Sequence, residues 1–464
     1  MKKLFAVVAF VAFTLAGLSA STLPASALEV KRVVSPGGIE AWLVEEYEVP
    51  IITMEVSWDG GSASDPAARL GLANMVSGLL DEGADEMDSI AYQKRLAASN
   101  ASLSYSEDKD YFNAHLQTLA ENRDEAFALL QVALAAPRFD AEAVERIRAQ
   151  IRSIIVRNHS DPEWVASQAW LKEVLGKHPY ARPSSGTEKT LAAITRDDLK
   201  AYVKQTIARD NMLIGIVGPI TPDELGKLLD TTFGNLPAKA KRVNIADVTP
   251  TTRAVTKVIA KPYPQSVVLF GGAGLKRSDP DFVPAYVMNY VLGGGSFSSR
   301  LTNEVREKRG LAYSIGTSLY PLRHTALYMG QVGTKNASVG TALSLIRHEY
   351  ERMASEGVSA AELADAKTYL TGSYPLRFDS NAKIAGELLA IQQENLGIGY
   401  ISHRNAMINA VTVADIARVA KALLEDKAPV VAIVGEPDLS EKPLPPARAV
   451  DPDAGTQHNE LSVH

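Results

Sequence analysis

Residues 51–80 read IITMEVSWDGGSASDPAARLGLANMVSGLL, and residues 266–292 read SVVLFGGAGLKRSDPDFVPAYVMNYVL. Each stretch opens with an apolar strand pattern, passes through a glycine-rich turn and an Asp-Pro step, and continues as an apolar helical run. The helical runs cover Leu70 to Leu80 and Val283 to Leu292. The two stretches lie about two hundred residues apart, a separation that points to a duplicated domain and not to a solenoid of short repeats. Working outward, each half carries long amphipathic helices: Glu121 to Leu134 and Ala141 to Val156 in the first, Ala342 to Ser355 and Ala360 to Leu370 in the second. Each half also closes on an apolar strand, Asn211 to Val217 and Pro429 to Val434. Strands mixed with runs of helices predict an α+β fold of two homologous domains, each a mostly antiparallel sheet packed against several helices.

Composition narrows the function. Among 464 residues, Lys+Arg number 48 and Asp+Glu 54, a net charge of -6 that argues against nucleic acid as the partner. The chain has no cysteine, which excludes disulfides, thiolate metal sites and cysteine nucleophiles. Hydrophobic residues at 46% and charged residues at 22% describe a folded protein.

The first residues look like a secretory leader. Lys2 and Lys3 precede an apolar run from Leu4 to Leu18, and Ala25-Ser26-Ala27 fits small-residue cleavage. The expected location is the periplasm, without a membrane span, because no later run reaches transmembrane length. The expected layout is a signal peptide 1–27, a first domain 28–237, a linker 238–254, a second domain 255–437 and an extended or disordered tail 438–464 carrying Pro443, Pro445, Pro446 and Pro452.

Two local patterns resemble the insulinase, pitrilysin and mitochondrial processing peptidase family. The first is Gly71-Leu72-Ala73 opening a helix after the glycine-rich strand end. The second runs from Leu292-Gly293-Gly294-Gly295-Ser296 through Arg306 to Leu311-Ala312-Tyr313-Ser314. In the family the first helix carries His-x-x-Glu-His, whose histidines bind zinc on one helical face while the Glu acts as base. Here Asn74 and Gly78 stand at the histidine positions and Ser77 at the glutamate position. The resemblance puts the distal zinc-ligand position at Ile154 and the supporting acidic position at Ile147. Val144, Ile147, Ile151 and Ile154 recur at helical spacing and are expected to form one packed apolar face. Glu145 is the nearby carboxylate. The eight histidines include no pair three or four residues apart. The expectation is that this chain holds no zinc.

The second pattern implies that Arg306 and Tyr313 bind peptide substrate, because the family's Arg/Tyr pair reaches across to the substrate in active relatives. Arg offers a fixed fork of donors and Tyr an uncharged O–H. Arg300 and Arg309 read as surface or helix-terminal charges. Gly293, Gly294 and Gly295 read as a flexible loop near the peptide path, since glycine lets backbone approach a ligand. They lack the spacing of a nucleotide-binding loop. The resemblance therefore implies a non-zinc subunit of a periplasmic heterodimeric zinc metallopeptidase. It would be inactive alone, with zinc in a homologous partner and a peptide as substrate. The alternative is a non-catalytic peptide-binding or structural scaffold of the same fold. An independent enzyme is a third reading, for which no Gly-x-Ser-x-Gly elbow is present.

Overall fold

The structure is a computed structural model that describes residues 28–444, apart from 426 and 428. The expected signal peptide and the part of the expected tail from 445 onward lie outside the described residues.

Two large sheets organise the chain. The first runs in the order Lys31–Val34, Glu40–Glu45, Met212–Gly218, Ile51–Asp59, Tyr111–Leu119, Ser102–Glu107. Along its central strand Ile52, Met54, Val56 and Trp58 are fully buried in the first core. The period of two sends Thr53, Glu55 and Ser57 to the opposite face. Helices Arg123–Ala135, Ala141–Asn158 and Pro222–Phe233 supply Phe127, Ile147 and Phe233 to that core.

The second sheet runs in the order Ala312–Leu322, Thr325–Lys335, Gln265–Ala273, Val430–Gly435, Val255–Ala260. In each sheet a strand late in its half pairs in parallel with an early one: Met212–Gly218 with Glu40–Glu45, and Val430–Gly435 with Val255–Ala260. The shared topology makes this a duplicated α+β fold, as the repeated strand, turn and helix pattern predicts.

The halves exchange helices. Helix Pro162–Leu175 belongs to the first half by sequence, yet Ala166, Trp170 and Val174 pack on Val267, Leu269, Val430 and Ala432 of the second sheet. Trp170 Nε1 donates to the Val430 carbonyl at 2.9 Å. Helix Asn381–Gln393 returns the exchange, setting Ile384, Ala385, Leu388 and Ile391 on Trp42, Val44 and Val217. This explains why Thr53 and Ser57 are buried on what would otherwise be the first sheet's open face.

Residues 239–252 contain no helix or strand. Their backbone is nevertheless tied at Lys241 N to Gln205 O, Val248 N to His324 O and Thr251 N to Val174 O. Residues 438–444 run without regular structure against the start of helix Val339–Glu356. Asp438 N donates to Asn336 O and Lys442 N to Thr341 Oγ1.

Candidate functional site

The helix at the family's zinc position is short, Leu72–Ser77. Buried Asp65 organises its start by accepting the N–H groups of Gly71, Leu72 and Ala73 at 2.9–3.1 Å. Burial pushes the Asp65 carboxyl up to about 7, against the opposing effect of those three hydrogen bonds. Gly71 enters the helix at φ 94, a left-handed conformation open to glycine.

The three motif positions then turn away from metal chemistry. Asn74 Nδ2 donates to Glu107 Oε1 at 3.2 Å. Ser77 Oγ donates back to the Asn74 carbonyl at 2.8 Å. A Cβ at Gly78 would lie 3.1 Å from Ile147 Cγ2. An amide, a hydroxyl spent on its own helix and an isoleucine methyl thus occupy the place of two imidazoles and two carboxylates. Among the described residues no group of three or more His, Asp or Glu side chains could hold a metal. The residues here do not fit zinc.

The expected packed face needs correction. Ile154 is 38% exposed, and the packed stripe is Val144, Ile147, Ile151 and Ile155. One residue turns an α-helix by about 100°, so in the last turn the inward place goes to Ile155. The residue that faces Gly78 is Ile147, two turns before Ile154. Glu145 points outward and pairs with Arg148 at 3.2 Å. His115 is held across the sheet, with Nδ1 2.6 Å from Glu55 Oε1. His178 caps Pro179–Ala181, in keeping with a structural turn.

The second constellation is exposed. Thr302–Glu307 forms a π-helical turn whose Thr302 and Val305 are buried, which turns Arg306 outward. The turn ends where Gly310 N meets Arg306 O and Leu311 N meets Val305 O. Tyr313 follows as the extra residue of a β-bulge, because Ala312 pairs with Thr334 and Ser314 with Gly333. A bulge re-aims a side chain, and Tyr313 stands 80% exposed. The Arg306 guanidinium lies 4.8 Å from the Phe297 ring centroid and 5.9 Å from that of Tyr313. Phe297, itself 65% exposed, was not singled out from the sequence, where one aromatic among serines carries no periodic signal. The arrangement offers a cation, a phenol and an apolar plate to one ligand.

Neighbouring arginines are committed to structure. Arg300 is nearly buried and grips Glu362 with two bonds of 2.7 and 2.8 Å, holding that carboxyl down to about 2. Arg309 binds the carbonyl and carboxylate of Glu304. Arg300 is thus held within the fold and is not a surface charge, whereas Arg309, just past the turn Thr302–Glu307 and bonded to the Glu304 carbonyl, is the helix-terminal charge expected. The expected glycine loop is also different. Gly293 and Gly294 close a π-turn, Tyr290–Gly294, and Gly295 caps it. A Cβ at Gly293 would strike Thr317, one at Gly294 would lie 2.5 Å from Asn289 Nδ2, and one at Gly295 2.6 Å from Tyr290 O. These glycines are required by tight packing.

Residues 43–188 match the family model described as insulinase (peptidase family M16), and residues 193–370 match the peptidase M16 inactive domain. The chain belongs to the M16 peptidase family. The crystal structure of a peptidase M16 inactive domain from Pseudomonas fluorescens has a TM-score of 0.84 and 29% identity, covering 90% of this M16 chain and all of that one. A "non-peptidase homolog YmxG" of Helicobacter pylori is 28% identical over 76% of this chain and 82% of its own. An "uncharacterized zinc protease" of Mycobacterium tuberculosis is 25% identical over 86% of this chain and 92% of its own. Among the described residues no helix is long and apolar enough to cross a membrane.

Proposed function

We propose that this chain is the non-zinc subunit of a periplasmic, two-chain M16 metallopeptidase, with Arg306 and Tyr313 binding peptide opposite a homologous partner's zinc site. One observation carries the reading: the motif helix closed by Asn74, Ser77 and the Gly78–Ile147 contact coexists with an outward-facing Arg306, Tyr313 and Phe297. A chain that had lost all peptide contact would have no need to keep a cation and a phenol in solvent on a π-turn and a bulge. Arg306 would hold a peptide carbonyl or carboxylate through its planar donors, and Tyr313 would add one O–H. The zinc belongs to the partner, and this chain closes the other side of the substrate's chamber. The leader at 1–27 motivates the periplasmic location.

Reconstitution tests this. The purified chain is expected to retain no zinc and cleave no peptide by itself. Mixed with a zinc-bearing M16 chain from the same cell, it is expected to form a one-to-one complex and raise peptide turnover at least tenfold. A complex that forms without any gain in turnover would favour the scaffold reading, which the name of the Helicobacter pylori relative also supports.

A further inference from the structure

Two arginines meet aromatic rings where helices Phe282–Asn289 and Tyr400–Ala410 come together. Arg277 lies 4.4 Å from the Phe282 ring centroid and 5.3 Å from that of Tyr400, and donates to the Tyr400 hydroxyl at 2.6 Å. Arg404 lies 4.0 Å from the Tyr374 centroid and 5.9 Å from that of Tyr286. Tyr286 follows Phe282, and Arg404 follows Tyr400, by about one helical turn. The two guanidiniums therefore sit in successive layers, each on aromatic faces that favour a cation. Both line a cleft of about 830 Å³, a size usual for small-molecule sites.

Arg300, Arg309 and Arg323 each bond to a carboxylate. Arg277 and Arg404 bond to none among the described residues. The acidic side chains in the cleft wall are engaged elsewhere. Glu387 accepts from the Tyr374 O–H at 3.0 Å and lies 3.8 Å from Arg377. Glu394 faces Arg277, whose charge works against the effect of burial on that carboxyl. Arg404 is the charge left over. It is only 7% exposed, and its Nη1 gives its two N–H groups to the Leu370 carbonyl at 3.0 Å and Asn405 Oδ1 at 3.1 Å. Nε and Nη2 form the other edge of the planar group, the edge that grips a carboxylate with two parallel bonds. Among the described residues no acceptor reaches that edge, and Arg404 lines the cleft. A buried charge is costly until an acceptor answers it.

We propose that this cleft binds a small organic monocarboxylate, its carboxylate held on the Nε and Nη2 edge of Arg404 and its apolar body against Leu319, Ile391, Met407 and Ile408. These four line the same cleft, and a methionine adapts to the shape of what it covers. Glu387 and Glu394 would repel a second negative charge, which selects a monoanion over a dianion. The site lies wholly within this chain and stands apart from the question of a zinc-bearing partner.

The test is isothermal titration calorimetry on the isolated chain with 4-phenylbutyrate as the probe. Wild type is expected to bind it with a dissociation constant below one millimolar, and to bind 4-phenylbutan-1-ol about tenfold more weakly, because the alcohol cannot take both donors. R404Q is expected to weaken 4-phenylbutyrate about tenfold and to leave the alcohol within about twofold. A390W, at an exposed position on the cleft wall, is expected to weaken both by blocking the cleft. No binding of 4-phenylbutyrate by wild type at ten-millimolar ligand overturns the proposal. So does equal affinity for the acid and the alcohol, or tighter binding of 4-phenylbutylamine, which would give the cleft to a cation at its glutamates. Wild-type affinity in folded R404Q or folded A390W also overturns it, by placing the ligand elsewhere. If R404Q is misfolded by circular dichroism, A390W decides.

Discussion

At the scale of single residues, Ile147 and Arg306 show how one family site can be closed and another kept. The Ile147 methyl fills the space a second imidazole would need, and Asn74 spends its amide on Glu107. Restoring the motif on the helix alone should therefore fail. The triple variant N74H/S77E/G78H is expected to retain little zinc after dialysis. Adding I147E should raise retention to near one zinc per chain, whereas adding I154E should not, because Ile154 is turned to solvent. Metal analysis of the two quadruple variants distinguishes these outcomes. Arg306 differs from Arg300 and Arg309 in having, among the described residues, only an adjacent Glu307, at 3.3 Å, as an ionic partner. Hydrogen bonds from charged donors contribute about 1.5–3 kcal/mol. R306A should therefore lower kcat/KM of the reconstituted complex about tenfold to a hundredfold, and Y313F by less. Size-exclusion elution of the complex should not change. Undiminished kcat/KM in both variants would remove the pair from the mechanism. The seven-residue spacing of Arg306 and Tyr313 was visible in the sequence. The contribution of Phe297 was not, because it depends on a π-turn bringing Arg306 back over the ring.

At the scale of elements, the informative pieces are the exchanged helices and the cross-strand pair in the first sheet. Trp170 is fully buried and bonded to the Val430 carbonyl on a sheet formed from the other half of the sequence. W170A should cost about 3–5 kcal/mol, read from the shift of the urea midpoint at constant slope. His115 and Glu55 set a pH dependence. The hydrogen bond to Glu55, aided by its charge, raises the His115 pKa above the ordinary 6.5 despite desolvation. A raised folded-state value means that the native state holds its proton more tightly than the unfolded chain. The pair's stabilisation is therefore complete below pH 6.5 and is lost as pH rises through the higher folded value. E55Q should flatten that decline between about pH 5.5 and 8.5, measured by urea denaturation. An identical pH profile in wild type and E55Q would show that the pair does not form in solution. The periodic sequence of Ala141–Asn158 marked a helix and most of its buried stripe. It did not show where the stripe leaves the core, because Ile154 and Ile155 are equally apolar and only the neighbouring helices select between them.

At the scale of the whole molecule, the exchange of Pro162–Leu175 for Asn381–Gln393 ties the halves into one cooperative unit. The hairpin tip at Arg323 and His324 adds a polar lock. Arg323 reaches Asp59 at 2.6 Å and its backbone reaches Asp110, while the His324 N–H donates to Tyr180 O–H at 3.1 Å. Urea unfolding followed by far-ultraviolet circular dichroism and by tryptophan fluorescence should give one coincident transition. Both W170A and L388A, on opposite sheets, should shift it as a whole. Two separated transitions would show that the halves unfold independently. The duplication, the α+β class, the loss of the zinc-binding residue types and the Arg/Tyr spacing were all determined by sequence, because apolar periodicity, turn residues and ligand chemistry are local properties. Which helix covers which sheet was decided only by tertiary structure. So were the burial of Arg300 against Glu362 and the residue opposite Gly78. Each is a contact between segments far apart in the chain, and the apolar or charged pattern of either segment fits more than one partner until packing selects one.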